Sequence, residues 1–231
     1  MFTYPRRSFW IAAPFLALYA MGTAEAETLT ARGNEPGWQV VVSDKAITFR
    51  TFEGETLTIE PVPQPTTEAG ADIYTAMVDG RRFTLTVTDT VCTDTMSGMP
   101  FPRSATVAID DRKLAGCAGD PASLLHGDWR VDGIAGKAIV AGSEPTLGFD
   151  QGENIYGNAS CNRIFGRFVL TGESLTFSEK GASMMMCDQA LMDQERDLLA
   201  ALEAVRRFEV AAPGQLRLIG EDGRTLVSLV K

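Results

Sequence analysis

A chain of 231 residues, 45% hydrophobic and 22% charged, is long enough to bury two cores of about 100 residues each. Its net charge of −9 argues against nucleic acid and anionic lipid as partners, because both need clustered Lys and Arg. Solubility is the plain reading of that acidity, and attraction to a basic partner is the other.

At the N-terminus, Arg6 and Arg7 precede an apolar run over residues 9–21, and Ala24 and Ala26 offer the small residues that a signal peptidase reads. The run is shorter than the roughly 20 residues of a spanning helix and contains Pro14. Residues 1–26 are therefore expected to be a cleaved signal peptide. That leaves a periplasmic protein starting at Glu27, with no stable membrane span. The first cysteine is Cys92, so no lipid-bearing cysteine stands at the cleavage point.

Beyond the signal, strands are expected over residues 38–42, 46–50, 56–59, 76–78, 83–87, 105–109 and 112–116. Period-two alternation marks several of them, and Asp79-Gly80 and Asp110-Asp111 read as hairpin turns. Pro61, Pro63 and Pro65 mark a surface loop. No segment shows helical periodicity, so residues 27–122 read as an all-β domain with a seam near 120–125.

The second half carries strand patterns over 127–131, 145–149, 154–159, 167–170, 175–179, 206–210, 215–219 and 225–229. Between them the period changes over 189–205. Leu191, Leu198, Leu202 and Val205 share one helical face, while Asp193, Glu195, Arg196, Asp197 and Glu203 lie mostly on the other. Asp188 is the expected N-cap, with acidic residues close behind it to suit the helix dipole. The fold class is mainly β with one packed helix, in two small domains, 27–122 and 125–231.

Cys92, Cys117, Cys161 and Cys187 form an even set in a chain expected to be exported, which reads as disulfides. The close C-x2-C pairs of a zinc site are missing. Of three possible pairings, Cys92–Cys117 with Cys161–Cys187 keeps each bridge within its own half. Each would close a loop of about 25 residues, worth about 3.5 kcal/mol on a chain-entropy model.

Motifs for catalysis are sparse. His126 is the only histidine, with no G-x-S-x-G near it, and there is no H-E-x-x-H or D-x-D-x-D-G loop. No catalytic, metal-binding or cofactor-binding residue is assigned, and no cofactor is expected. Met184-Met185-Met186 offers soft thioethers. On a strand, however, alternate side chains point to opposite faces, so packing into the core is expected instead.

Two segments are distinctive: Gly157-Asn158-Ala159-Ser160-Cys161-Asn162-Arg163-Ile164-Phe165-Gly166, and Met184-Met185-Met186-Cys187. With the acidic helix carrying Glu195 and Leu202, and a closing hairpin over 215–226, they make residues 125–231 resemble the META domain of HslJ-like heat-inducible envelope proteins. The motif residues are Gly157, Asn158, Cys161, Asn162, Gly166, Met186 and Cys187. The resemblance implies an antiparallel β fold with one helix, an envelope location, and an association with heat-shock stress or antibiotic tolerance. It brings no catalytic residues. Physically, Gly157 and Gly166 suit close approach or positive φ, and Asn158 and Asn162 can bond neighbouring backbone in turns. Alternatively, Asn158, Asn162 and Arg163 line a cleft. The first half resembles an uncharacterised envelope family often fused to META domains, through residues 32–38, 92–98, Pro102 and 116–119.

The functional expectation is a non-enzymatic envelope protein that binds an unidentified envelope protein, peptide or small molecule. The alternative is an inhibitor of a basic hydrolase such as lysozyme, motivated by acidity, export, disulfides and an exposed loop at Ser97-Gly98-Met99-Pro100-Phe101.

Overall fold

A computed structural model describes residues 28–231; the signal peptide expected over 1–26 lies outside the described residues. The first unit runs β1 (Leu29–Asn34), β2 (Gly37–Val42), β3 (Ile47–Thr51), β4 (Thr56–Ile59), β5 (Thr66–Glu68), β6 (Ala71–Val78), β7 (Arg81–Thr88), β8 (Cys92–Thr93), β9 (Pro100–Phe101), β10 (Arg103–Ile109) and β11 (Arg112–Ala118). Nine of these make one antiparallel sheet in the order β4-β3-β2-β1-β11-β10-β7-β6-β5, and β8 pairs with β9. Alternation does what the period demands. Val40, Val42, Phe83, Leu85, Val87, Ala105, Val107 and Ile109 all face one core. The Asp79-Gly80 turn is as expected: both residues have positive φ, and Val78 pairs with Arg81.

The second unit opens with a short helix, α1 (Ala122–Leu125), at the expected seam. It continues through β12 (Gly127–Ile134), β13 (Lys137–Ala138), β14 (Thr146–Phe149), β15 (Asn154–Asn158), β16 (Arg163–Leu170) and β17 (Leu175–Ala182). Helix α2 (Gln189–Ala204) follows, then β18 (Val205–Ala212), β19 (Gln215–Gly220) and β20 (Thr225–Val230). The sheet order is β17-β16-β15-β14-β12-β20-β19-β18, with β13 beside β12. Its two edge strands, β17 and β18, approach each other, and α2 packs against β17, β20 and β12. The sheet is thus almost closed on itself around its core.

β1 escapes period-two analysis. It reads LTARGN, yet it is a central strand between β2 and β11. Its small residues make room for Trp38. A Cβ at Gly33 would stand 2.3 Å from the Trp38 indole nitrogen, and one at Gly116 would stand 2.0 Å from the Arg32 carbonyl. Trp38 Nε1 donates to the Ala115 carbonyl at 3.3 Å. Gly33 and Gly116 therefore form a slot for this indole.

The hairpin over residues 92–101 corrects one expectation. The 97–101 loop is not an exposed tip: Met99 is 0% exposed, and Pro100 and Phe101 are buried. Met99 and Phe101 belong to the core of the second unit, together with Cys117. Apolar side chains of that size gain roughly 2 kcal/mol each by leaving water, which pulls the hairpin onto the neighbouring core. Leu125 is also fully buried, and the Trp129 indole donates to its carbonyl at 2.6 Å. The seam is packed, and the two units share apolar surface there.

Asp94 fixes this hairpin. Its Oδ1 accepts from the Met96 amide, the Ser97 amide and the Ser97 hydroxyl at 2.8–3.0 Å, and its Oδ2 accepts from Asn34 Nδ2 at 3.0 Å. Burial alone would raise the carboxyl's pKa, but the bonds from Ser97, Asn34 and Met96 together hold it below the ordinary carboxylate value. A depressed folded-state pKa gives stability that is complete above the unfolded value of about 3.9 and lost as pH falls through the lower folded one. Exchange protection of the Met96 and Ser97 amides is therefore expected to persist at pH 4 and to disappear only in stronger acid. Loss already at pH 5 would contradict this role for Asp94.

Candidate functional site

The motif residues other than Gly166 gather where the β15–β16 turn faces the start of α2. Asn162 is 4% exposed and lies at the centre. Its backbone amide donates to Glu195 Oε2 at 2.9 Å, and its Nδ2 donates to Glu195 Oε1 at 3.2 Å and to the Met185 carbonyl at 3.3 Å. Its Oδ1 accepts from the Met185 amide at 2.7 Å and the Ser183 hydroxyl at 2.8 Å. The side-chain amide is fully engaged, so Asn162 ties three segments together. Asn158 is exposed and does local work: its Oδ1 accepts from the Ser160 amide at 2.7 Å, in a turn where Ser160 has φ 90°. The disulfides are Cys92–Cys117 and Cys161–Cys187, each within its own unit.

Both motif glycines serve close approach. A Cβ at Gly157 would stand 2.1 Å from the Thr146 carbonyl oxygen, and one at Gly166 would stand 3.0 Å from that of Ser178, where the β16–β17 register shifts. Gly157→Ala must spread β14 from β15 and is expected to cost about 3 kcal/mol, read as a lower urea midpoint. An unchanged midpoint would refute the close-contact role.

The methionine run departs from expectation. It lies in the irregular segment between β17 and α2, with Met184 98% and Met186 91% exposed. Core packing is thus corrected: Asn162 holds the Met185 backbone and Cys187 is bridged to Cys161, so the run has no strand to alternate on. The helix also differs in detail. Asp188 sits at the N-cap but makes no capping bond, and the first turn holds no acidic residue. The carboxylates beyond it serve tertiary contacts instead, Glu195 to Asn162 and Asp197 to Lys137 at 2.8 Å. Gln194 is buried on the core-facing side, accepting from the Val140 amide at 2.7 Å and donating to Ser143 and Ser160.

A separate feature lies at the junction of the units: a cleft of about 460 Å³. Thr30, Arg32 and Phe101 line it from the first unit, and His126, Phe168 and Leu170 from the second. The Arg32 guanidinium carbon sits 4.6 Å from the centre of the Phe101 ring. Gly172, in the β16–β17 turn, comes so near that a Cβ there would lie 3.0 Å from both terminal nitrogens of Arg32. Asp120 and Glu153 also border the cleft; Asp120 accepts from the Ala122 amide at 2.9 Å, and Glu153 pairs with Arg167 at 3.3 Å.

Residues 122–231 match the META domain. The match begins at α1, three residues before the boundary read from the sequence. Among solved structures, an NMR structure of a protein from Burkholderia xenovorans is 25% identical, covering 47% of this chain and 84% of its own, with a TM-score of 0.40. A second NMR structure is 24% identical, covering 48% of this chain and 95% of its own, also at 0.40. No curated protein matches.

In the second unit, then, the motif residues are joints. Cys161, Cys187, Asn162 and Gly157 hold β15, β16 and the entry to α2, while Met186 is carried on the outside. Arg163 is exposed and lies apart from the cleft lining. His126 lines the cleft, but the nearby Ser123 hydroxyl donates to the Asp120 carbonyl at 2.7 Å. Among the described residues no group of three or more His, Cys, Asp or Glu could hold a metal ion, and no helix is long and apolar enough to cross a membrane. Sequence reasoning missed Arg32 as a site residue. Its one signal is a cation inside a glycine-rich strand pattern next to Trp38.

Proposed function

We propose that this protein is a non-enzymatic, exported envelope component that binds a small molecule or short peptide in the junction cleft between its two units. The cleft itself carries this reading. Both units build it, apolar packing of Met99 and Phe101 on the second core holds its walls together, and its size falls within the range of small-molecule sites, which favour such junctions. Two disulfides fit an oxidising compartment. The polar META motif residues are engaged in structural bonds, which supports binding without chemistry. The tie to heat stress or antibiotic tolerance rests on the META resemblance alone. The hydrolase-inhibitor reading loses its exposed loop, since Met99, Pro100 and Phe101 are buried. Native mass spectrometry of the chain purified gently from the periplasm tests the proposal. A bound small species, recovered chemically unchanged, is expected; a chain that is bare under every condition, or that converts its ligand, would overturn it.

A further inference from the structure

Four arginines are half-buried among the described residues: Arg32, Arg81, Arg103 and Arg207. Three of them have carboxylate partners. Arg81 meets Glu55 at 2.7 Å and Asp110 at 3.3 Å, Arg103 meets Asp72 and Asp89 at 2.7 Å, and Arg207 meets Glu209. Arg32 has none among the described residues, and its Nε is buried without a hydrogen-bond partner there. The stack on Phe101 offsets part of that cost, but a ring face accepts none of the guanidinium's five N–H bonds in the plane. An unpaired, half-desolvated cation at the wall of a cleft is a site for an anion.

The walls define which anion. Leu170 and the rim of Phe101 give the cleft an apolar side, and Thr30 and His126 offer further polar groups. Asp120 and Glu153 on its border disfavour a multiply charged group such as phosphate, whereas a single negative charge meets less repulsion. A planar carboxylate also matches the guanidinium fork. We infer that the cleft binds a small monocarboxylate with an apolar body, its carboxylate on Arg32 and its body against Leu170 and the rim of Phe101. This inference rests on the cleft being the binding site proposed above.

Isothermal titration of the disulfide-intact chain with benzoate, its neutral isostere benzamide, and inorganic phosphate tests it. Benzoate should bind at least tenfold more tightly than benzamide or phosphate. Arg32→Gln should weaken benzoate at least tenfold and leave benzamide unchanged, while Arg32→Lys should recover part of the loss. Near-UV circular dichroism of the tryptophans checks that both variants fold. Benzamide binding as well as benzoate, or indifference of benzoate to Arg32→Gln, would sink the carboxylate assignment and leave the cleft as a site. Preference for phosphate would also overturn the assignment. Failure of every probe to bind would count against the carboxylate and the cleft together.

Discussion

Breaking the Cys161–Cys187 bridge by the double serine variant is expected to lower stability by about 3.5 kcal/mol, the loop-closure value for its 26-residue separation. The effect should exceed that of most single substitutions, because the bridge fixes the point where β16 and the entry to α2 meet. Asn162, beside Cys161, then loses the restraint that brings the Met185 backbone to its side chain. The loss should appear as a lower denaturant midpoint with a similar slope, and as faster exchange at the Met185 amide. Removing Cys92–Cys117 in the same way should cost a similar amount, and there the loss should fall on the 92–101 hairpin that joins the units. A midpoint unchanged on removing either bridge would mean that the joint is held by packing alone.

Asn162→Ala is the second large effect. It deletes four side-chain hydrogen bonds, leaving the Met185 amide without its acceptor and Glu195 with only the residue 162 backbone amide. Unsatisfied groups of this kind cost about 1–3 kcal/mol each, so a total of about 3 kcal/mol is expected after local water entry. Asn162→Asp should be worse than its size suggests, because it sets a second carboxylate against Glu195. The double change Asn162→Asp with Glu195→Gln should recover part of the loss. Urea unfolding of the three variants reads the effect; equal midpoints for Asn162→Asp and the double variant would show that charge is not the cause.

The same residues show what the sequence could and could not reveal. Alternation at Val40, Val42, Phe83, Leu85 and Val87 exposes its strands because each has one buried face. The Leu198–Leu202 face of α2 is equally plain, and of three possible cysteine pairings the observed one is the arrangement that keeps each bridge within its own half. β1 is hidden because its core face is small rather than apolar; its Gly33 only makes sense once Trp38 is seen between it and Gly116 of β11. Gln194 and Glu195 look solvent-facing by polarity, although the helical period sets both beside Leu191 and Leu198. Their partners, Val140, Ser160 and Asn162, lie more than 30 positions away, where no local pattern reaches. Met184–Met186 misleads in the opposite sense: hydrophobicity suggests burial, but the backbone is pinned by Asn162 and the disulfide, with the side chains outside. The cleft was beyond reach for the same reason, since Arg32 and Leu170 meet only through the packing of Met99 and Phe101 across the seam.

A chemical-shift map reads binding in that cleft residue by residue. An amide-resolved NMR titration of the oxidised chain against a library of small fragments would place each hit on the structure. Hits are expected to cluster on Thr30, Arg32, Phe101, His126 and Leu170, from both units at once. Hits confined to other surfaces, such as the exposed methionines at 184–186, would contradict binding there, and so would a library that moves no cleft amide at all.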